Sequence, residues 1–161
     1  MGDGNEYRSD KGRRSKLERR ARIIGAIRDF FRRREFLEVE TPILVPSPGM
    51  EPHLGHFRTA LRDKDGRDLP AYLITSPEYA MKRLLAAGHS RVFEITRCFR
   101  NDEPWDGSHN PEFTMIEWYR TGVDYRTIMR DTEEMVSEVA IRTVGRADLA
   151  YRGKPIDLTP P

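Results

Sequence analysis

The 161-residue sequence contains very little cysteine, because Cys98 is its only one. A single cysteine excludes a disulfide within the chain and is typical of proteins from a reducing compartment. The sequence also lacks an apolar run near the ~18 residues that a membrane-spanning helix needs, and its first residues are polar, which argues against a signal peptide. We therefore expect a soluble, cytoplasmic protein with no membrane partner, long enough for one domain with a real core.

Several widespread binding motifs are missing as well. The sequence has no zinc-site spacing of cysteines and histidines, no Walker loop and no G-x-G-x-x-G fingerprint. Three common ways of binding a metal or a nucleotide are thus excluded, and any nucleotide site must be built differently.

The net charge of +2 conceals an uneven distribution of charge. Residues 1–34 carry a formal charge of +7, and the rest of the chain carries −5. A basic start could contact an acidic partner or an RNA backbone. A solvated helix face that follows a disordered lead-in over residues 1–14 accounts for the same residues equally well.

Hydrophobic spacing predicts helices and strands that alternate along the chain. The first helix should end near Arg34 and bury a stripe formed by Leu17, Ala21, Ile24, Ile27 and Phe31. Further helices are predicted at 76–87 and 125–145, and strands at 36–41, 57–62, 69–75, 91–100 and 113–120. This order predicts an α+β domain, in which helices flank an antiparallel sheet.

The most informative stretch is Phe99–Tyr119, FRNDEPWDGSHNPEFTMIEWY. It is predicted to be a strand, a polar loop and a returning strand, so Arg100 and Phe113 should lie close together. A guanidinium suits a phosphate, and an aromatic ring suits a nucleotide base. An ordinary hairpin with a charged loop is the alternative, and the spacing favours neither.

The tripeptide Ser76-Pro77-Glu78 begins the second predicted helix. Serine is a good N-cap, proline fits the first helical position, and glutamate is favoured by the helix dipole. Capping alone therefore explains these residues, and a functional role is the alternative.

Taken together, these segments resemble the class II aminoacyl-tRNA synthetases, in particular their lysyl branch. FRND followed by HNPEFT is similar to the second signature motif of that family, and a helix followed by FLEVETPIL is similar to the first. The segment from Thr75 to Asn101 resembles the family's substrate-side region. The resemblance implies a partial class II catalytic core over residues 15–161, and a homodimer formed through the segment around Pro42.

The resemblance implies an ATP site in the hairpin. Arg100 would contact the α-phosphate and act in catalysis, and Phe113 would stack on the adenine; Asn101, Asp102, His109 and Asn110 would complete the nucleotide site. Asp102 stands where the family usually has glutamate, so Glu103 could take the acidic role instead. On the amino acid side, Ser76, Pro77, Glu78 and Tyr119 would line the pocket.

Within the lysyl branch, three features resemble the lysine ligases of elongation factor P. Only a short basic lead-in precedes the first helix, Ser76 stands where the synthetases typically have alanine, and Glu117-Trp118-Tyr119-Arg120 is similar to the ligases. These enzymes activate (R)-β-lysine or lysine with ATP and transfer it to a lysine of elongation factor P. A fragment of lysyl-tRNA synthetase and a non-catalytic paralogue that binds a protein or RNA partner are the alternatives.

The third signature motif of the family, rich in glycine and carrying a second arginine, has no counterpart after Val144. We expect the chain to correspond to the N-terminal half of a catalytic domain, with the acidic ligands of Mg²⁺ in the other half. ATP binding by these 161 residues should then be weak, and turnover slow.

Overall fold

The computed structural model describes residues 10–104 and 106–160, with side chains from residue 14 onward. Within these residues the helices are α1 (Asp10–Arg33), α2 (Glu78–Ala86) and α3 (Tyr125–Val144). The strands are β1 (Leu37–Glu38), β2 (Leu44–Val45), β3 (Arg58–Arg62), β4 (Asp68–Leu73), β5 (Arg91–Phe99), β6 (Glu112–Arg120), β7 (Asp148–Tyr151) and β8 (Lys154–Asp157). The α+β class predicted from the sequence is confirmed. No helix in the described ranges is long and apolar enough to cross a membrane.

The chain divides into two compact units. Of the described residues, 10–34 and 122–160 form the first, and those within Glu35–Thr121 form the second. The predicted disordered lead-in over residues 1–14 falls largely outside the described residues, but α1 begins at Asp10 and so includes its last five residues.

The second unit is built on the long hairpin of β5 and β6. Its sheet has the order β1-β5-β6, in which β1 is parallel to β5 and β6 is antiparallel to β5. The register places Cys98 opposite Phe113 and Glu94 opposite Glu117. Since opposite residues of an antiparallel pair share a face, the side chains that alternate with Phe93, Ile95 and Phe99 form one surface, as predicted.

A second sheet, of order β2-β4-β3, flanks the entrance of the hairpin loop. The turn between β3 and β4 has Gly66 at φ +81°, a left-handed conformation that glycine adopts without strain and that is typical of an Asp-Gly turn. This sheet is joined to β5 by a hydrogen bond from the Phe99 amide to the Ile74 carbonyl, 2.8 Å long.

The predicted strand over residues 36–41 is shorter than expected, since β1 is only two residues long. The Val39 amide still donates to the Phe93 carbonyl, but the Thr41 amide donates to the carboxylate of Glu94 instead of to a neighbouring strand. Pro42 then has no amide hydrogen to offer.

Glu94 lies on the same face of the hairpin as Cys98 and Glu117, and it is buried there. Its side chain is only 2% exposed and accepts two hydrogen bonds from Thr41, one from the amide at 3.0 Å and one from the hydroxyl at 2.9 Å. Burial raises the pKa of Glu94, and the hydrogen bonds from Thr41 oppose this effect. Glu94 thus holds the end of the segment that precedes Pro42.

The pH dependence of stability should report this buried carboxyl. Because its pKa is raised in the folded state, unfolding releases a proton at pH values between the ordinary carboxyl pKa and the raised one. The free energy of unfolding of the parent, minus that of Glu94→Gln, should therefore fall as the pH rises through this interval. Urea denaturation of both proteins from about pH 4 to about pH 7 would measure it.

Glu112→Gln is a matched control, because the Glu112 carboxylate is more than half exposed on β6. If the free energy of unfolding of the parent, minus that of Glu94→Gln, increased with pH, the result would contradict the buried state of Glu94. Glu94→Ala should be more damaging, by about 1–3 kcal/mol, since it leaves the Thr41 amide and hydroxyl without their acceptor.

The first unit is held by α1 and α3. Phe30 and Phe31 are fully buried, with ring centroids 5.1 Å apart in an edge-to-face arrangement. Ion pairs join the two helices: Arg34 to Glu134 and Arg142 to Asp29, both at 2.9 Å, and Arg33 to Glu138. The end of α1 at Arg33 agrees with the prediction.

The predicted apolar stripe of α1 is only partly correct. Leu17 is 62% exposed, and the side chains of residues 14–22 are all exposed. Burial in α1 starts in the following turns. Phe31 is buried as predicted, but Ile24 and Ile27 are only half-buried, and Ala26 and Phe30, which lie outside the predicted stripe, are buried instead.

Helix α3 ends near Gly145, as predicted, and this glycine is its C-cap, because it has φ +87° and its amide donates to the Ile141 carbonyl. At its start, the Asp124 carboxylate accepts from the Thr127 amide. The hairpin of β7 and β8 follows, a region for which the sequence predicts at most a short strand.

Candidate functional site

A cavity of about 270 Å³ lies at the end of β5, where the chain enters the hairpin loop. All of its walls belong to the second unit. They are formed by Phe57, Arg100, Asn101, Asp102, Glu103, Pro104, His109 and Pro111. Four of the residues predicted for the nucleotide site, Arg100, Asn101, Asp102 and His109, are thus brought together around one space.

Arg100 is the main cation of this cavity. Its amide donates to the Pro111 carbonyl at 3.0 Å, which extends the β5–β6 pairing by one step beyond the strands. Its guanidinium carbon lies 5.2 Å from the centroid of the Phe113 ring, so the predicted proximity of the two residues is observed.

The Nε atom of Arg100 is buried and has no hydrogen-bond partner among residues 10–104 and 106–160. A buried donor without an acceptor costs free energy unless a ligand satisfies it. An anionic ligand in the cavity would provide such an acceptor.

Asn101 and Asp102 are placed by a close backbone contact with Gly55. The Asn101 amide donates to the Gly55 carbonyl at 3.0 Å, and the two residues form an isolated antiparallel bridge. Asp102 has φ +61°, a left-handed conformation that aspartate tolerates better than most residues. Both Asp102 and Glu103 line the cavity, so the geometry leaves both carboxylates available for the acidic role.

Asp106 lies in the hairpin loop and contacts Ser108 and His109. Its carboxylate accepts hydrogen bonds from the amide and hydroxyl of Ser108, at 2.8 and 2.7 Å, and contacts the His109 ring at Nδ1, at 3.2 Å. The bonds from Ser108 are the main reason why the pKa of Asp106 is well below its usual range. Asn110 is exposed and is not part of the cavity wall, unlike its neighbour His109.

A second polar cluster lies on the same face of the sheet, around Glu117. One carboxylate oxygen of Glu117 accepts from the Ser76 hydroxyl at 2.8 Å, and the other accepts from the Tyr119 hydroxyl. Burial, together with the bond to Glu117, raises the pKa of Tyr119, which keeps the phenol protonated as a donor. Ser76 and Tyr119 were predicted for the amino acid pocket, whereas the carboxylate that unites them was missed.

The alternation of β6 contained a signal for Glu117. Every second position of β6 is occupied by Phe113, Met115, Glu117 and Tyr119. Glu117 therefore lies on the same face as Phe113 and Tyr119, which were both predicted to be site residues. Phe57 and Gly55 had no comparable signal, because they approach the hairpin from a separate loop.

The tripeptide 76–78 has both structural and polar contacts. The Ser76 hydroxyl accepts from the Glu78 amide at 3.1 Å, and Pro77 is fully buried at the start of α2. The Glu78 carboxylate pairs with the ammonium of Lys82, one helical turn away, and this bond is the main reason why the pKa of Lys82 is raised. Ser76 and Pro77 also line a separate cavity of about 350 Å³ beside residues 42–50.

Cys98 is not a candidate nucleophile. The residue is fully buried opposite Phe113, and burial, reinforced by the Glu117 carboxylate, raises the pKa of its thiol to about 11. The thiolate form that attacks electrophiles is therefore almost absent near neutral pH.

Within residues 10–104 and 106–160, no group of three or more histidine, cysteine, aspartate or glutamate side chains is placed to hold a metal ion. No step of the chemistry is therefore assigned to a metal held by these residues.

Comparison with known proteins gives a consistent result. Residues 7–159 match the family described as "tRNA synthetases class II (D, K and N)". The chain is 42% identical over 142 residues to the lysine–tRNA ligase of Shewanella baltica (strain OS155), covering 88% of the chain and 27% of that protein. It is also 42% identical over 148 residues to the lysine–tRNA ligase of Pelotomaculum thermopropionicum, covering 90% of the chain and 28% of that protein. The chain thus spans about a quarter of the length of these relatives.

Proposed function

The chain belongs to the class II tRNA synthetases of the D, K and N group, and we propose that it forms the part of an adenylating catalytic domain that binds ATP and an amino acid with a side-chain ammonium group. The observation that carries this proposal is the cavity at Arg100, in which a buried guanidinium nitrogen has no acceptor among the described residues.

ATP would place its α-phosphate against the Arg100 guanidinium, and charge-assisted hydrogen bonds to a phosphate are among the stronger ones in proteins. Phe113 would stack on the adenine, since its ring already lies beside the guanidinium. Asn101, one of the two carboxylates at 102 and 103, His109 and Asn110 would complete the contacts to the nucleotide.

The amino acid would be lysine or (R)-β-lysine, bound near Glu117. This carboxylate is held in one orientation by Ser76 and Tyr119, and a fixed carboxylate is a suitable partner for an ammonium group. Glu78 is available to the substrate only if its pairing with Lys82 is exchanged for the substrate's ammonium.

The reaction needs no nucleophile from the protein. A carboxylate oxygen of the amino acid attacks the α-phosphorus of ATP, a new O–P bond forms, and the bond to pyrophosphate breaks. The protein contributes orientation of the two substrates, and Arg100 stabilises the charge that develops on the α-phosphate. Such a mechanism is consistent with a site that contains a cation, carboxylates and rings but only an inert thiol.

For the acceptor of the activated amino acid, we favour a lysine of elongation factor P. The supporting observation is the Ser76 hydroxyl, which an alanine at this position would lack and which here binds both Glu117 and the Glu78 amide. Transfer to tRNA is the second candidate, and it is favoured by the lysine–tRNA ligases at 42% identity. A second copy of the chain would pair through the segment around Pro42, as in the dimers that the resemblance implies.

An acceptor assay tests this proposal. The 161-residue chain would be incubated with ATP, Mg²⁺ and radiolabelled lysine or (R)-β-lysine, together with either elongation factor P or tRNA. We expect slow labelling of elongation factor P that depends on ATP, and none of tRNA; labelled tRNA would favour the second candidate. If ATP and lysine neither bind the chain nor stabilise it against heating, the adenylation proposal itself is wrong.

A further inference from the structure

Two glutamates, Glu94 on β5 and Glu117 on β6, are direct cross-strand partners in the central hairpin. Opposite residues of an antiparallel pair have their Cβ atoms about 4.5–5.5 Å apart, and two like charges in such a pair are destabilising. Glu94 is only 2% exposed, so solvent and salt screen the repulsion poorly. A pair of this kind is typical of a functional site, because a bound cation can offset its cost.

The two carboxylates are held by different segments. Both oxygens of Glu94 are occupied by Thr41, one by its amide at 3.0 Å and the other by its hydroxyl at 2.9 Å. Glu117 is half-buried and accepts from the hydroxyls of Ser76 and Tyr119. A ligand can therefore reach Glu117, whereas Glu94 can act on that ligand only through its charge.

The groups around the pair leave an excess of negative charge. The ammonium of Lys82 on α2 pairs with Glu78 and interacts more weakly with Glu117. The raised pKa values of Cys98 and Tyr119 keep both groups uncharged near neutral pH. The other charged groups on the segments around Glu94 are Glu38 and Glu40, before Thr41, and Arg100, at the end of β5.

Burial raises the pKa of Glu94, and the Glu117 carboxylate raises it further, against the hydrogen bonds from Thr41 and Thr96. The proton affinity of Glu94 thus already depends on the charge of its cross-strand partner. A cation bound at Glu117 would cancel that contribution, so it would favour the ionised form of Glu94.

We propose that Glu94 strengthens the binding of an ammonium group at Glu117 by adding its charge to the site, without contacting the group. The inference rests on the proposed function in taking this group to be the side-chain ammonium of lysine or (R)-β-lysine. The ligand and the proton of Glu94 then oppose each other, since the ammonium favours ionised Glu94 and protonation of Glu94 weakens the binding of the ammonium.

The coupling between the two carboxylates can be measured without a ligand. The ¹³C signal of the Glu94 carboxyl, assigned by its absence in Glu94→Gln, reports the titration of this group. Glu117→Gln should move that titration to lower pH, because it removes the opposing negative charge. Glu112→Gln is the matched control, since Glu112 lies on the same strand but on the other face, more than half exposed and paired with Arg97, and should leave the titration unchanged.

Lysine affinity, measured by isothermal titration calorimetry, provides the second readout. From about pH 5 to about pH 8 the parent should bind lysine more tightly as Glu94 ionises. At the upper end of this range Glu94→Gln should bind it about threefold to tenfold more weakly, which corresponds to roughly half to one unit of pKa. Norleucine, which lacks the side-chain ammonium, should bind both proteins alike, whereas a purely structural role of Glu94 would weaken both ligands.

The two readouts must also agree with each other. Linkage is reciprocal, so the factor by which ionisation of Glu94 tightens lysine binding equals the factor by which lysine increases the acid dissociation constant of Glu94. If Glu117→Gln leaves the titration of Glu94 unchanged, or if Glu94→Gln binds lysine as tightly as the parent, the proposed role of Glu94 is overturned. An equal loss of norleucine affinity would overturn it as well.

Failure of the proposed function gives a different result. If the parent binds no lysine, the proposed function fails, and butylammonium, which carries only the ammonium and its alkyl chain, then tests the pair alone. Butylammonium should shift the titration of Glu94 to lower pH in the parent and not in Glu117→Gln; an unmoved titration in the parent would overturn the role of Glu94. Unchanged backbone amide spectra away from the hairpin would show that each variant is folded.

Discussion

Arg100→Ala is expected to remove nearly all affinity of the chain for ATP. Charge-assisted hydrogen bonds are worth about 1.5–3 kcal/mol, so the loss should be roughly 10-fold to 150-fold. The increase in melting temperature that ATP causes in the parent should disappear in the variant. Isothermal titration calorimetry and thermal denaturation with and without ATP would measure both effects.

The stability of the unliganded protein should respond differently. The buried Nε of Arg100 has no acceptor among the described residues, so truncating the side chain relieves an unfavourable burial. We expect Arg100→Ala without ATP to be as stable as the parent or slightly more so, which is common when a binding residue is removed. A large loss of stability would mean that Arg100 is mainly structural.

Arg97→Ala is the matched control for this experiment. Arg97 lies on β5, three residues before Arg100 and on the opposite face of the hairpin, where it is more than half exposed and pairs with Glu112. Its removal should leave ATP binding unchanged. Arg100→Lys should recover only part of the affinity, because an ammonium group keeps the charge but loses the planar fork of donors. Equal ATP affinity in the parent and Arg100→Ala would place the nucleotide elsewhere.

Gly55→Ala is expected to have the second largest effect, on folding and on ligand binding together. A Cβ atom at this position would lie 2.6 Å from the Asn101 carbonyl oxygen, 2.9 Å from its carbon and 2.5 Å from the Asp102 carboxylate. The first two atoms belong to the backbone and cannot rotate away. The strand end must shift instead, at a cost of about 1–3 kcal/mol.

This shift would also move Asn101 and Asp102 out of their places in the cavity wall, so ATP affinity should fall with stability. Gly25→Ala is the control, because a Cβ there meets nothing within 4 Å. Since Gly25 lies within α1, alanine should raise the free energy of unfolding by about 1 kcal/mol. Chemical denaturation of both variants would measure the contrast, and a neutral Gly55→Ala would show that the contact between the two segments is looser than described.

Much of the fold could be predicted because its signals are local. The two-residue alternation of 91–100 and 113–120 predicted the central hairpin, and the structure has these strands within one residue of the predicted ends. Gly66 and Gly145 are local signals of the same kind, since both have left-handed backbone conformations, which favour glycine. Arg100 and Phe113 were predicted to meet because a hairpin returns its strands to one place.

The contacts that build the site depend on residues far apart in the sequence. Glu94 is separated by 53 residues from Thr41, which determines its burial, and Glu117 by 41 residues from Ser76. Alternation states which face a side chain shares but not what covers that face. For this reason the alternation did not predict the burial of Glu94, and Glu117 was left out of the amino acid pocket.

The sequence by itself determined the α+β class, the hairpin and the residue types of a nucleotide site, because each depends on neighbours within a few positions. Only the tertiary structure decided that Gly55 supports Asn101 and that Glu117 joins Ser76 to Tyr119. It also decided that Arg100 has a buried nitrogen without an acceptor in the described part of the chain. These features arise where separate segments pack together, and packing depends on the shapes of both partners. The local periodicity of a segment describes that segment alone and not the segment that packs against it.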